Sequence, residues 1–318
     1  MRERTQGSQP AFSTAKSGWN QSCLSSLWGH PPANQVVHVS AAVTKVPLVG
    51  LSRRLDAAGV SEAGELEAHS SVLEALRDHV KFRVLEGGNP GLNRDLESST
   101  MKTEPLSGLV LTAGSALSDQ GDERWLSAES RGGVPSAGTA PVPVVNALEL
   151  VDDELRDRFL TRVFTLHRWR QACGATPSVA KLQAFHGANK SLFTAHDESS
   201  TRALGRSIAS CRGAEVSDLA HEYIIQAMRI LDRPAGRGAH VNVLQHVLGH
   251  FRGTLEPPTR AALHEMLGDY AQGQVPLAVV REVLLGHARA VGSEWLRSQT
   301  YLAPYPMGLG HAQAADPA

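Results

Sequence analysis

The pattern of hydrophobic and polar positions changes near residue 150 of this 318-residue chain. Before residue 143 the periodicity is weak, and short apolar runs predict strands at residues 34–39, 81–85 and 108–111. A helix is predicted over 58–79. Residues 113–143 are rich in Gly, Ser, Ala and Pro, a composition that predicts loop or disordered chain.

From residue 152 onward, apolar positions recur at helical spacing. In the first such segment Asp152 and Asp153 favour the positive end of a helix, and they precede apolar residues at Leu155, Phe159, Val163 and Leu166. Further helices are predicted at about residues 178–196, 201–211, 216–231, 240–251, 258–271, 276–291 and 294–301. Because the connections are short, neighbouring helices should pack antiparallel as a bundle.

The two patterns together predict an α+β protein with two domains. We expect an N-terminal α/β domain with partly disordered loops at residues 1–150 and a connecting helix at 151–175. An all-α helical bundle should follow at 176–312, with a tail at 313–318. A chain of this length can form two ordinary cores.

Composition excludes some classes of protein. The richest apolar segment, residues 276–291, contains Arg281 and Glu282, so no segment should cross a membrane. Cys23, Cys173 and Cys211 are far apart and odd in number, which argues against a disulfide framework and favours the reducing cytoplasm.

The net charge of −1 hides a basic segment. Residues 155–212 contain ten Lys and Arg but three Asp and Glu, a local excess of seven positive charges. Such an excess is typical of a surface that binds a polyanion, and equally of a solvated helix face.

Separated motifs in residues 182–309 resemble the YbgA-like domain, a bacterial family of unknown function. They are LQAFHGANKSLFTAH at 182–196, HVNVLQHVLGHF at 240–251 and QTYLAPYP at 299–306. In many relatives this domain follows a desulfidase domain similar to the thiouracil desulfurases. Such fusions are implicated in removing sulfur from thiouridine in transfer RNA.

The first half resembles a divergent form of that desulfidase domain. In the family, three cysteines hold an iron-sulfur cluster whose open iron takes the sulfur. QSCLSSL places Cys23 at the first cysteine motif, which makes it the candidate catalytic residue. The third motif has become Ser115 to Asp119, and no Cys-Pro-Glu occurs. Serine does not replace a thiolate ligand, so no cofactor is expected in this chain.

Two explanations fit the missing cysteines. The domain has decayed to a scaffold, or a frameshift upstream of about residue 105 has altered the reading frame. An iron-sulfur cluster, and an active desulfidase, would follow only from the second. Whether the chain is an enzyme therefore stays open.

Polar residues in the bundle form a candidate RNA-binding set. Their side chains suit phosphate, ribose and base edges, and Tyr301 or Tyr305 could stack on an unpaired base. The set comprises His186, Lys190, His196, Arg206, His240, Asn242, His246, Gln299 and Tyr301. The alternative is an internal polar network that holds the helices together.

Two other chemistries are open to the histidines. His246 and His250 are one helical turn apart and could chelate a metal, but mid-helix histidines are commonly packed, so no metal is expected. His246 could also act as a general base, but no nucleophile motif accompanies it.

The sequence thus predicts a cytoplasmic protein that binds RNA, with transfer RNA as the expected class, in thio-nucleoside metabolism. The rival is a non-enzymatic helical structural or interaction module.

Overall fold

The computed structural model describes residues 47–53, 76, 79–86, 107–111, 125–126, 142–174, 176–306 and 309. Cys23 and the strand predicted at 34–39 lie outside these residues. So does most of the helix predicted over 58–79, of which residue 76 is helical.

Within the described residues, five strands form one sheet: β1 (Leu48–Arg53), β2 (Lys81–Glu86), β3 (Gly108–Leu111), β4 (Trp125–Leu126) and β5 (Val142–Asn146). Their order is β2-β1-β3-β5-β4. The pairs β1–β2, β1–β3 and β3–β5 are parallel, and β4 runs antiparallel to β5. The strands predicted near β2 and β3 are confirmed, while the wider α/β architecture of residues 1–150 stays a prediction.

Three strands differ from the sequence expectation. β1 was not predicted, and both β4 and the start of β5 fall inside the segment predicted as loop. In β5, Pro143 has no N–H for the ladder and sits opposite Trp125. Val144 and Val145, which follow this proline, are nevertheless buried. Packing of their side chains against the core therefore outweighs the tendency of proline to disfavour a strand.

The first described helix, α1 (Asp153–Trp169), packs on the sheet. Its N-cap is Asp152, whose carboxylate accepts from the backbone N–H groups of Glu154 and Leu155 at 2.9 Å each. At Gly108 in β3, an added Cβ would lie 2.6 Å from Cγ2 of Val163. Strand and helix therefore approach closely because residue 108 has no side chain. A π-helical turn at Arg170–Gly174 ends the helix.

In residues 176–306 seven α-helices follow: α2 (Val179–His196), α3 (Glu198–Ser210), α4 (Val216–Asp232), α5 (Arg237–Gly249), α6 (Pro257–Ala271), α7 (Leu277–Ala290) and α8 (Glu294–Ser298). Each boundary is within three residues of the predicted one, and the predicted all-helical C-terminal bundle is confirmed. Among the described helices, none combines the length and apolar character that crossing a membrane requires.

The buried apolar residues fall into two clusters that share α1. The bundle core takes Leu166 and Trp169 from the C-terminal end of α1. The second cluster joins β1, β3 and β5 to the middle of α1 through Phe159, Leu160 and Val163. Residues Tyr305 and Leu309 return from the end of the bundle to this second cluster.

Candidate functional site

The basic segment does not form one surface patch. Arg156, Arg158 and Arg162 on α1 are all less than 9% exposed. Arg162 bonds Asp232 at 2.6 Å. Burial lowers the pKa of Arg168 to about 10, and its guanidinium donates to the Pro304 carbonyl. The first half of the run therefore consists of buried structural arginines, which fits neither a surface that binds a polyanion nor a solvated helix face. Its exposed cations include Lys181, Lys190, Arg202, Arg206 and Arg212.

Four members of the predicted RNA-binding set make contacts inside the bundle. The ring nitrogen Nδ1 of His186 lies 3.1 Å from the Tyr223 hydroxyl, and that of His240 lies 3.1 Å from the Tyr301 hydroxyl. Gln299 accepts from Ser191 and donates to a backbone carbonyl of α2. These contacts fit the alternative of an internal network.

Tyr301 cannot stack on a base from solvent. Its side chain is fully buried, and the guanidinium of Arg281 lies over its ring with Cζ 4.9 Å from the centroid. Tyr305 is also buried and donates to Asp157, which pairs with Arg281 at 3.0 Å. The stacking role predicted for these two tyrosines is therefore corrected: Tyr305 joins the end of the bundle to α1, and Tyr301 packs inside the bundle.

Three other members of the set meet in one cleft. A cavity of about 590 Å³ lies between the end of α2, the start of α3 and one face of α5. Its polar lining residues are Thr194, His196, Glu198, Asn242, Gln245, His246 and Arg252. We call this cavity the polar cleft. It brings together predicted residues from two distant motifs.

Sequence reasoning missed Glu198, Gln245 and Arg252. A signal for Gln245 was present in the sequence. It lies three residues after Asn242, and His246 lies four residues after Asn242, so all three side chains share one face of α5. Arg252 lies beyond the end of α5, in a turn that no helical pattern covers.

The junction of α2 and α3 forms one wall of the cleft, since His196 and Glu198 line it. Asp197 caps α3 by accepting from the Ser200 N–H at 3.0 Å, and it pairs with Arg233. The Ser200 hydrogen bonds lower the pKa of Asp197 to about 2, helped by Ser199 and Arg233. The carboxylate thus stays charged and joins α2, α3 and the end of α4.

His196 enters the cleft in a defined tautomer. Its Nδ1 lies 2.6 Å from the Arg233 carbonyl, which can only accept, so Nδ1 carries the proton and Nε2 the lone pair. Burial lowers the pKa of His196, and the hydrogen bond to Arg233 opposes that shift. The side chain therefore presents a neutral hydrogen-bond acceptor.

Lys190 and Arg206 lie exposed on α2 and α3, outside the cleft lining. Lys190 is one turn from Thr194, which lines the cleft. Arg206 is next to Gly205, where an added Cβ would lie 3.2 Å from Nε2 of His186. Both cations therefore lie on the two helices whose junction lines the cleft.

His250 does not pair with His246 in a metal site. Its ring stacks on Trp295, with the two centroids 3.9 Å apart. Within the part of the chain that the structure describes, no group of three His, Cys, Asp or Glu side chains could hold a metal ion.

The cleft lies in a segment that is similar to known proteins. The family described as "Protein of unknown function (DUF1722)" matches residues 190–306. The chain is also 27% identical over 151 residues to "Uncharacterized protein YbgA" of Escherichia coli (strain K12), covering 47% of this chain and 89% of the relative. Residues 190–306 form a YbgA-like domain. No solved structure matches the chain significantly.

The YbgA-like domain contains every residue that lines the cleft, since the lining runs from Thr194 to Arg252. His186 and α1 precede the matched segment. The polar cleft is thus a feature of the YbgA-like domain itself.

Proposed function

We propose that the YbgA-like domain binds RNA through the polar cleft, with transfer RNA as the expected class. The observation that carries this proposal is the convergence of His196, Asn242, His246 and Arg252 on one cavity of about 590 Å³. Cavities of roughly 300 to 1,000 Å³ accommodate small organic ligands, a range that suits a nucleotide unit.

The lining offers the groups that RNA recognition uses. Arg252 supplies a cation for phosphate, and the Asn242 amide both donates and accepts. His196 adds a neutral acceptor for a hydroxyl or an exocyclic amine. Glu198, the acidic residue of the lining, is paired with Arg202, which offsets its repulsion of phosphate.

The test is a titration of the protein with transfer RNA at several salt concentrations. Phosphate binding releases counterions, so log affinity should fall linearly with log salt. In the double variant Lys190→Ala, Arg206→Ala we expect weaker binding and a slope smaller by roughly one unit for each phosphate that is left without its cation. Arg252→Ala should act in the same direction.

Arg229→Ala is a charge-matched control for Arg252→Ala, since each change removes one cation and Arg229 is exposed on α4 and outside the cleft lining. This variant should keep the wild-type affinity and slope. Circular dichroism checks that all variants remain helical. If wild-type protein shows no binding at low salt, the proposal fails and the structural or interaction module becomes the better account.

The connection to thio-nucleoside metabolism rests on the resemblance of residues 1–150 to a desulfidase domain, with Cys23 as its candidate catalytic residue. A frameshift would leave a Cys-Pro-Glu codon run in another frame of the coding DNA upstream of Gly108. Finding one would support an active ancestor with an iron-sulfur cluster. Its absence from both other frames would support decay, with RNA binding as the retained activity.

A further inference from the structure

One large aromatic side chain is about half exposed to solvent. Trp295 is 46% exposed, and among the described residues Val151 is the other large hydrophobic side chain with comparable exposure. A single exposed apolar residue needs no explanation. The indole, however, does not project alone, because the ring of His250 stacks against it at 3.9 Å with a tilt of 33°.

The backbone of α8 around Trp295 is held by hydrogen bonds. Ser293 caps α8 by accepting from the N–H of Leu296, whose side chain is fully buried in the bundle core. The Ser298 hydroxyl donates to the Trp295 carbonyl. The backbone around Trp295 is therefore held by hydrogen bonds, and the indole ring itself packs against His250.

The pair also borders the polar cleft. His250 caps the C-terminus of α5. It directly follows Gly249 and stands one turn after His246, both of which line the cleft. Arg252, two residues further on, lines it as well. A flat apolar surface therefore lies next to a polar cavity that contains a cation.

We propose that Trp295 and His250 form a stacking platform for an unpaired nucleobase whose phosphate and sugar lie in the polar cleft. This inference rests on the proposed function and specifies the ligand: single-stranded RNA, such as an unpaired loop of a transfer RNA. Bases in a duplex have both faces covered by their neighbours, whereas an unpaired base exposes a π-face to an aromatic side chain.

The platform takes the role that the sequence pattern suggested for Tyr301 and Tyr305. Those rings are inside the bundle, and Trp295 is outside it. Stacking also accounts for His250, whose position on α5 otherwise suggests a metal ligand. Its imidazole backs the indole and keeps one indole face for the base.

The experiment compares a single-stranded RNA oligonucleotide with a duplex of the same length, using the full chain. Base stacking on an aromatic residue predicts that Trp295→Ala weakens single-strand binding by roughly 5- to 150-fold. Trp295→Phe should retain most of the affinity because it keeps an aromatic face. Duplex binding should change little.

Salt dependence separates the platform from the cationic residues. Trp295→Ala should lower the affinity by the same factor at every salt concentration and leave the slope unchanged, since stacking releases no counterions. Arg252→Ala should reduce the slope. The matched control is Val151→Ala, which also removes an exposed apolar side chain and should bind like wild type.

Fluorescence gives an independent readout. The chain has five tryptophans, and subtracting the Trp295→Phe spectrum from that of wild type isolates one indole. That difference signal should be quenched by single-stranded RNA. If wild type binds transfer RNA but Trp295→Ala binds the single strand equally well, the platform is overturned and the proposed function stands. If wild type binds neither RNA at low salt, both fail.

Discussion

Asp197 shows how one side chain positions the polar cleft. It ends α2, caps α3 and pairs with Arg233 at the end of α4, next to the carbonyl that orients His196. Its side chain is largely covered, with a relative exposure of 9%. The geometry of the cleft therefore depends on a residue that does not line it.

Replacing this residue should separate its two roles. Asp197→Ala removes the cap and the ion pair, and we expect a decrease of about 1 kcal/mol in the free energy of unfolding. Asp197→Asn keeps a good capping side chain and removes the charge, so it should be milder. Urea denaturation of both variants measures the difference. Equal decreases would show that the ion pair with Arg233, rather than the cap, dominates.

The histidines of the set differ in the partner that each ring nitrogen contacts. The sequence places His186, His196 and His240 on predicted helices, but it does not indicate which faces are inward. In the structure two of them contact tyrosine hydroxyls and the third a carbonyl. Partners 37 or 61 residues away along the chain cannot be identified from a local pattern.

At Gly108 a strand lies close against a helix. The Cβ of an alanine there would lie 2.6 Å from Val163 and 3.1 Å from Phe159, both on α1. Neither side chain has room to withdraw, since each is about 1% exposed or less. This position tolerates only the smallest residue.

Gly108→Ala should therefore destabilise the protein by about 1–3 kcal/mol through overpacking. The matched control is Gly187→Ala on the exposed face of α2, where an added Cβ meets nothing within 4 Å. That change should stabilise by roughly 0.5–1 kcal/mol, because alanine favours helix over glycine. Thermal unfolding compares the two. A stabilised Gly108→Ala variant would contradict the close packing of β3 on α1.

The helices could be predicted because the apolar period is clear and the connections carry strong signals. Pro257 begins α6, and Gly253, Gly273 and Gly292 adopt positive φ between helices. The arginines of α1 could not be assigned, because a charged residue on a helix gives no indication that a second core will cover it. α1 is buried on more faces than an amphipathic helix, so the usual inference that charge means solvent does not apply there.

For the molecule as a whole, stability should depend on pH through the buried histidines. Burial, with a smaller effect of Arg281, lowers the pKa of His240 from 6.5 to about 3. Burial also lowers the pKa values of His186 and His196. Between pH 6.5 and 3 the unfolded chain binds a proton at residue 240 and the folded chain does not. The contribution of His240 to the free energy of unfolding is thus fully present above pH 6.5 and is lost progressively as the pH drops below it.

We expect His240 alone to cost about 2 kcal/mol of unfolding free energy by about pH 5, at roughly 1.4 kcal/mol for each pH unit. Denaturant titrations at about pH 7.5 and pH 5 measure this decrease. His240→Asn cannot titrate, so its stability should change less between the two pH values, even if it is lower at both. An equal pH dependence in wild type and variant would show that folding does not lower the pKa of His240.

The two apolar clusters and the returning C-terminal segment make α1 common to both halves of the described structure. Phe159 and Val163 face the sheet, whereas Leu166 and Trp169 belong to the bundle. The cluster boundary thus passes through a continuous helix instead of a flexible connection.

A helix backbone is stiff in torsion because each turn is hydrogen bonded to the next. A small rotation of α1 about its axis would therefore move the sheet-facing and bundle-facing side chains by the same angle. Because no hinge interrupts α1, a rotation at its sheet-facing end should be transmitted to its bundle-facing end. Motion of one core is therefore coupled to motion of the other through α1.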